Sequence, residues 1–245
     1  MKPFVPWDHL IVVAIIVLAT LEWRLEYPRF KRALQAGVRH ARVRMYATEI
    51  IVLWALSFVV AGLWIAEHRP GSGLLLGSSS PLRLAIGWTL SLAYVGLMLA
   101  QRRALLARPQ HLPRLAPSLG GALPMMPTTR GERNGFYALS FSAGMCEELL
   151  FRGYVLWYGT QWAGPVLGFA ASTALFGYIH RYFDAQSVLR TAIVGVFFYV
   201  MAVSAGSLWP AVFAHVMTDL VAGNLGYHML RQPESGAAAV APFPA

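Results

Sequence analysis

Charge is scarce in this chain. Only 13% of its 245 residues are Asp, Glu, Lys or Arg, while 57% are apolar. That charged share is about half the usual one and excludes an ordinary soluble protein. The length allows one or two domains. Cysteine is nearly absent as well. Cys146 stands alone, so no intrachain disulfide framework can form, and cysteine usage says nothing of compartment. There is no internal repeat and no heptad array. The first apolar run follows Lys2 and could imitate a secretory signal. Leu21-Glu22-Trp23-Arg24 offers no small-residue cleavage site, so the run reads as an uncleaved anchor.

What is present is a series of long apolar runs. A run of about 18 or more such residues is read as a bilayer-spanning helix. The runs at 7–23, 46–66, 82–100, 136–158, 165–180, 188–204 and 208–227 predict seven spans, an all-α polytopic membrane helix bundle. Trp7 and Trp23 bracket the first like an interfacial belt. Pro165 and Pro210 suit first helical turns, where a missing N–H costs nothing. Three N-terminal spans (1–100) are expected, then an irregular Pro/Arg-rich cytoplasmic linker (101–134). A four-span catalytic core (135–230) and a disordered Ala/Pro-rich tail (231–245) complete the division.

The formal charge of +9 could suggest nucleic acid, but its placement argues against that partner. Arginines gather between spans one and two (Arg24, Arg29, Arg32, Arg39, Arg42, Arg44) and between three and four (Arg102, Arg103, Arg108, Arg114, Arg130, Arg133). Arg181, Arg190 and Arg231 continue the alternation, and the intervening loops hold only Arg69 and Arg83. By the positive-inside rule this predicts a multi-pass inner-membrane protein with its N-terminus outside and its C-terminus cytoplasmic.

Ionisable side chains are costly in hydrocarbon, so those inside apolar runs are candidates for chemistry. Glu147 and Glu148 lie in the fourth run, with Arg152 one helical turn after Glu148. Residues four apart share a helix face, so Glu148 and Arg152 can pair. Glu147, about 100° around the helix, is then left to face a cavity as a general base for water. Phe176 and His180 fall one turn apart in the fifth run, and His215 and Asp219 one turn apart in the seventh.

Two mechanisms fit these residues. In the first, Glu147 and His180 activate a water against a peptide carbonyl. His215 and Asp219 then stabilise the oxyanion, Asp219 donating only if protonated and otherwise orienting His215. In the second, Glu147, His180 and His215 bind zinc as a His₂Glu set. The chain contains no H-E-x-x-H, which removes the ordinary zincin. A Cys146 nucleophile is conceivable, although a lone buried cysteine usually acts as a small apolar residue.

Glu147-Glu148-Leu149-Leu150-Phe151-Arg152 resembles the EExxxR motif of the CPBP family, the CAAX protease and bacteriocin-processing (Abi) proteins. Phe176 to His180 resembles that family's FxxxH motif, and His215 to Asp219 its HxxxN/D motif, in the same order over roughly 135–227. The resemblance implies an intramembrane endopeptidase similar to the type II CAAX prenyl endopeptidases, of the glutamate type and without a metal cofactor. It further implies that Glu147 and His180 activate water, that His215 and position 219 form the oxyanion site, and that Glu148 and Arg152 support them. Asp219 departs from the Asn of prenyl-processing members, which bears on both the oxyanion role and a prenylated substrate.

The expected partners are the lipid bilayer and a membrane protein or peptide substrate: a lipid-modified tail, a bacteriocin-like peptide or the membrane-anchored end of a sorted protein. Rival readings are a non-catalytic immunity or scaffold protein, and an ion or proton transporter. The lack of inverted repeats counts against the transporter.

Overall fold

The computed structural model describes residues 4–77, 79–181 and 185–231, so the expected tail falls almost wholly outside the described residues. Nine α-helices are described: α1 (Pro6–Leu21), α2 (Tyr27–Gln35), α3 (Ala41–Ala66), α4 (Pro81–Leu106), α5 (Ala116–Leu119), α6 (Arg130–Glu147), α7 (Leu156–Ile179), α8 (Ala185–Ala205) and α9 (Trp209–Leu230). The described residues contain no strand. Four helical stretches are long and apolar enough to cross a membrane: Ala41–Ala66, Pro81–Leu106, Arg130–Ile179 and Ala185–Ala205. The third is 50 residues long and takes in both α6 and α7. Ile65, Leu97 and Val166 are each more than 70% exposed on these helices. Such outward apolar side chains suit lipid and would be a liability in water. The protein is an all-α membrane bundle.

The ends of the helices follow from local chemistry. Thr129 caps α6: its hydroxyl accepts from the Glu132 N–H, and the Glu132 carboxylate accepts from the Thr129 N–H. This reciprocal box satisfies two N–H groups that a helix start leaves unpaired. Pro81 and Pro210 sit in the first turns of α4 and α9. Within α7 the backbone leaves the helical region at Gly164 (φ 83°, ψ 171°), directly before Pro165. Glycine reaches that φ without a side-chain clash, so α7 is two helices meeting at a kink. The second is the helix expected to begin at Pro165.

Residues 101–134 differ from the irregular linker expected. The first six residues prolong α4, and short helical turns follow at Pro109–Leu115, Ala116–Leu119 and Gly120–Met125. These turns pack onto the bundle instead of hanging free. Leu112 is fully buried, and Tyr27, Tyr46 and Arg42 donate hydrogen bonds to the carbonyls of Gly121, Met125 and Pro124. The Pro and Gly content had suggested irregularity, but tertiary hydrogen bonds to the turns overrode it.

One buried ion pair ties α1 to the core. Arg69 donates through both terminal nitrogens to Asp8, at 2.8 and 2.7 Å, and neither side chain is exposed. Tyr154 adds a 2.8 Å hydrogen bond to the same carboxylate. Breaking a buried pair by removing one partner strands a charge at a cost of about 3–5 kcal/mol. Arg69→Met should therefore lower the thermal unfolding midpoint of the detergent-purified protein clearly. An unchanged midpoint would show that this clasp contributes nothing to stability.

Candidate active site

The acidic motif does not lie on a plain α-helix. α6 ends at Glu147, and Glu148–Val155 form a π-helical stretch that leads into α7. Wider helical turns of this kind are frequent at functional sites. Here the two carboxylates diverge as the sequence implied. Glu148, fully buried, accepts from Arg152 at 3.0 Å. Glu147 lines a cavity of about 280 Å³ between α6, α8 and α9. Its Oε2 atom is buried and has no hydrogen-bond partner.

Arg152 is held on every side. Beyond Glu148 it donates to the Gly195 carbonyl at 3.1 Å, and its guanidinium carbon lies 3.9 Å from the centre of the Phe176 ring. Phe176 also sits against His180, with ring centres 5.0 Å apart. The conspicuous phenylalanine of the fifth run thus joins the arginine to the histidine.

The two imidazoles are fixed by their other nitrogens. At the end of α7 the His180 N–H bonds to the Gly177 carbonyl, which leaves the Phe176 carbonyl for the His180 ring at 2.9 Å. A carbonyl only accepts, so Nδ1 carries the proton and Nε2 presents a lone pair. That Nε2 is 4.0 Å from Glu147 Oε2. His215 Nδ1 lies 2.8 Å from Glu148 Oε1 and donates to it, while its Nε2 is 3.8 Å from Glu147 Oε2 and 3.8 Å from Asp219 Oδ2. Phe198 stacks on the His215 ring at 4.9 Å and 22°. All seven residues singled out in the sequence meet in one place.

Close helix approach makes this possible. A Cβ on Gly144 of α6 would come 2.4 Å from a Val216 methyl and 3.0 Å from the Val216 nitrogen of α9. Only glycine lets the Glu147 helix and the His215 helix lie so near. Gly144→Ala should push them apart by a fraction of an ångström and lower activity by ten- to a hundredfold, since small misplacements cost that much in a preorganised site. Retention of full turnover by a folded Gly144→Ala protein would show that the spacing is not critical.

Some of the surroundings escaped the sequence reading. Glu49 of α3 lines this cavity and a second one of about 290 Å³ between α1 and α3, which also reaches Glu147 and His180. A carboxylate inside the run 46–66 meets the same criterion that marked Glu147, so the signal was present. The Gly195 carbonyl and Phe198 carried none. Cys146 is buried and lines neither cavity. Among the described residues no group of three or more His, Cys, Asp and Glu side chains has the geometry to hold a metal ion.

Residues 134–221 match the family model described as type II CAAX prenyl endopeptidase Rce1-like. Over that segment the chain is similar to the CAAX proteases of the CPBP family. The matched segment contains all three motifs and leaves α1 to α4 outside it. No curated protein and no solved structure matches the chain. That similarity, together with the apolar helices, indicates a membrane protease with a membrane-associated protein as substrate.

Proposed function

We propose that the protein is a glutamate-type intramembrane endopeptidase that hydrolyses a peptide bond in a lipid-modified or membrane-anchored chain. The observation that carries this reading is Glu147 Oε2, buried without a hydrogen-bond partner, 4.0 and 3.8 Å from two imidazole nitrogens. These separations exceed a direct hydrogen bond. A water beside the Glu147–His180 line, about 2.8 Å from each atom, can touch both.

The chemistry follows from the fixed tautomers. The water donates one hydrogen to Glu147 and the other to the His180 Nε2 lone pair, which aims its oxygen at the substrate carbonyl. Glu147 takes the proton as the C–O bond forms. His215, acting as imidazolium, keeps Nδ1–H on Glu148 and turns Nε2–H toward the developing oxyanion. Asp219 steadies that imidazolium from its other side. Collapse of the tetrahedral intermediate breaks the C–N bond, and Glu147 returns its proton to the departing amine. Stabilising charge where it develops in a low-dielectric cavity is usually the largest catalytic term.

Seven crossings with the N-terminus outside would open both cavities toward the cytoplasmic face. We place the enzyme on that basis in the inner membrane. The decisive experiment is cleavage of a quenched fluorescent S-farnesylated peptide in detergent, with and without o-phenanthroline. Metal-free hydrolysis should continue at an unchanged rate after chelation and dialysis. Loss of activity that returns on adding zinc would overturn the glutamate mechanism in favour of a metal centre.

A further inference from the structure

Three arginines gather at one end of the bundle with no acid between them. Arg102 lies in the last turns of α4, Arg133 at the start of α6, and Arg231 just past the end of α9. Arg102 donates through Nε and a terminal nitrogen to the side-chain carbonyl of Asn224 on α9, at 3.0 and 2.7 Å. The Asn224 amide in turn donates to the Tyr137 hydroxyl at 3.1 Å. The Arg133 guanidinium carbon is 5.8 Å from the Tyr137 ring centre and 4.8 Å from that of Tyr227. Arg231 is 5.0 Å from the same Tyr227 ring and donates to its hydroxyl. The charges of all three arginines bear on His228.

Elsewhere in the protein such arginines face carboxylates: Arg69 has Asp8, Arg152 has Glu148 and Arg42 has Glu132. Among the described residues no carboxylate pairs with Arg102, Arg133 or Arg231. The buried Nε of Arg133 has no hydrogen-bond partner. Like charges so grouped repel, and an anion among them relieves the repulsion. Beside the cluster lies a cavity of about 240 Å³ between α4, α9 and the short turns that precede α6. Arg102 stands in its wall with the apolar side chains of Met98, Leu105, Val221, Leu225 and Met229. From Thr218 to Met229 that wall follows α9 for about 16 Å, at 1.5 Å per residue. Gln101, also in the wall, is exposed one helical turn after Leu97, which is 75% exposed on the apolar surface of α4. The cavity therefore borders the lipid-facing side of the bundle. A ligand that suits it has an anionic head and a flexible apolar tail.

We propose that this end of the bundle binds an anionic phospholipid, its phosphate held among Arg102, Arg133 and Arg231 and one acyl chain laid in the cavity along α9. Guanidinium groups bind phosphate oxygens through paired, charge-assisted N–H donors. Basic pockets between membrane helices take up anionic headgroups for that reason. Leu119, Thr218 and Ala222 line this cavity and also the one that holds Glu147. A bound chain thus packs behind the wall of α9 that carries Asp219. The site goes beyond the hydrolase reading and stands without it. Inorganic phosphate offers the same headgroup chemistry without a tail, and the assay separates the two sources.

The test is native mass spectrometry of the full-length protein, delipidated in uncharged maltoside micelles and titrated with dioleoyl phosphatidylglycerol or dioleoyl phosphatidylcholine. The tails are identical, so the headgroup alone differs. Phosphatidylglycerol should bind about tenfold tighter. Arg102→Gln, Arg133→Gln and Arg231→Gln together should abolish that preference. Arg108→Gln, Arg114→Gln and Arg130→Gln together, all at exposed positions, should keep it. Leu225→Trp fills the cavity, retains every arginine and should weaken phosphatidylglycerol about tenfold by displacing the chain. That variant carries the test if the first triple variant does not fold. Equal binding of the two lipids overturns the site, as does a preference that survives in the first triple variant. So does phosphatidylglycerol binding that Leu225→Trp leaves unchanged. A preference lost equally with the exposed arginines is plain surface attraction and also overturns it. Inorganic phosphate that displaces the lipid at equal concentration would show that no chain is held. Displacement by an S-farnesyl peptide, dependent on the three arginines, would give the cluster to the substrate instead and overturn the lipid site.

Discussion

Glu147→Gln should abolish peptide hydrolysis, with a loss of about a hundred- to ten-thousandfold, the range over which a positioned general base acts. The substitution keeps the size and shape of the side chain, so the packing of α6 against α9 is undisturbed. What it removes is the basicity needed to take a proton from water and return it to the leaving amine. Normal membrane insertion and an unchanged unfolding midpoint are expected alongside the lost rate. Cleavage of a farnesylated reporter peptide, followed by mass spectrometry, measures it. Full activity in the variant would remove Glu147 from the reaction and return the cluster to a scaffold or immunity role.

The second large effect concerns stability. Glu148 is wholly buried and divides its oxygen between Arg152 at 3.0 Å and His215 at 2.8 Å. Arg152→Met leaves that carboxylate without its cation and strips the Gly195 carbonyl and the Phe176 ring of their partner. Removing one member of a buried pair costs about 3–5 kcal/mol, enough to erode most of the stability of an ordinary domain. Adding Glu148→Gln should restore much of the loss, because no isolated buried charge then remains. Activity should stay absent in the double variant, since His215 has lost the carboxylate that fixes its ring. Thermal unfolding of both variants, with the activity assay beside it, separates the two effects. A double variant as unstable as Arg152→Met alone would show that packing, rather than charge, governs this network.

Much of this arrangement was legible before any coordinates. Costly polar groups in apolar runs are few, so Glu147, Glu148, Arg152, His180, His215 and Asp219 stood out, and helical spacing told which of them could pair. The structure brings Glu147, His180, His215 and Asp219 to one cavity and buries Glu148 and Arg152 as an ion pair beside it. Spacing did not reveal that Glu148 serves two masters, because the partner sits on a helix 67 residues away. Nor did it disclose the π-helical geometry of Glu148–Val155, which has no pattern of its own in the side chains. Arg69 was read as a loop charge bearing on orientation, whereas it is buried against Asp8. Long-range pairing of that sort follows from the assembled bundle, and neither partner carries a local sign of the other. Residues 101–134 misled for the opposite reason: their Pro and Gly content is real, yet hydrogen bonds from Tyr27, Tyr46 and Arg42 hold the turns in place.

The most direct measurement is an experimental structure of the wild-type enzyme with a peptide phosphonamidate, whose tetrahedral phosphorus mimics the hydrated carbonyl. One phosphonyl oxygen is expected about 3 Å or less from Glu147 and His180, and the other within hydrogen-bonding reach of the His215 Nε2 atom. Density for a metal ion among these three side chains, or an inhibitor seated away from Glu147, would contradict the water-activation chemistry.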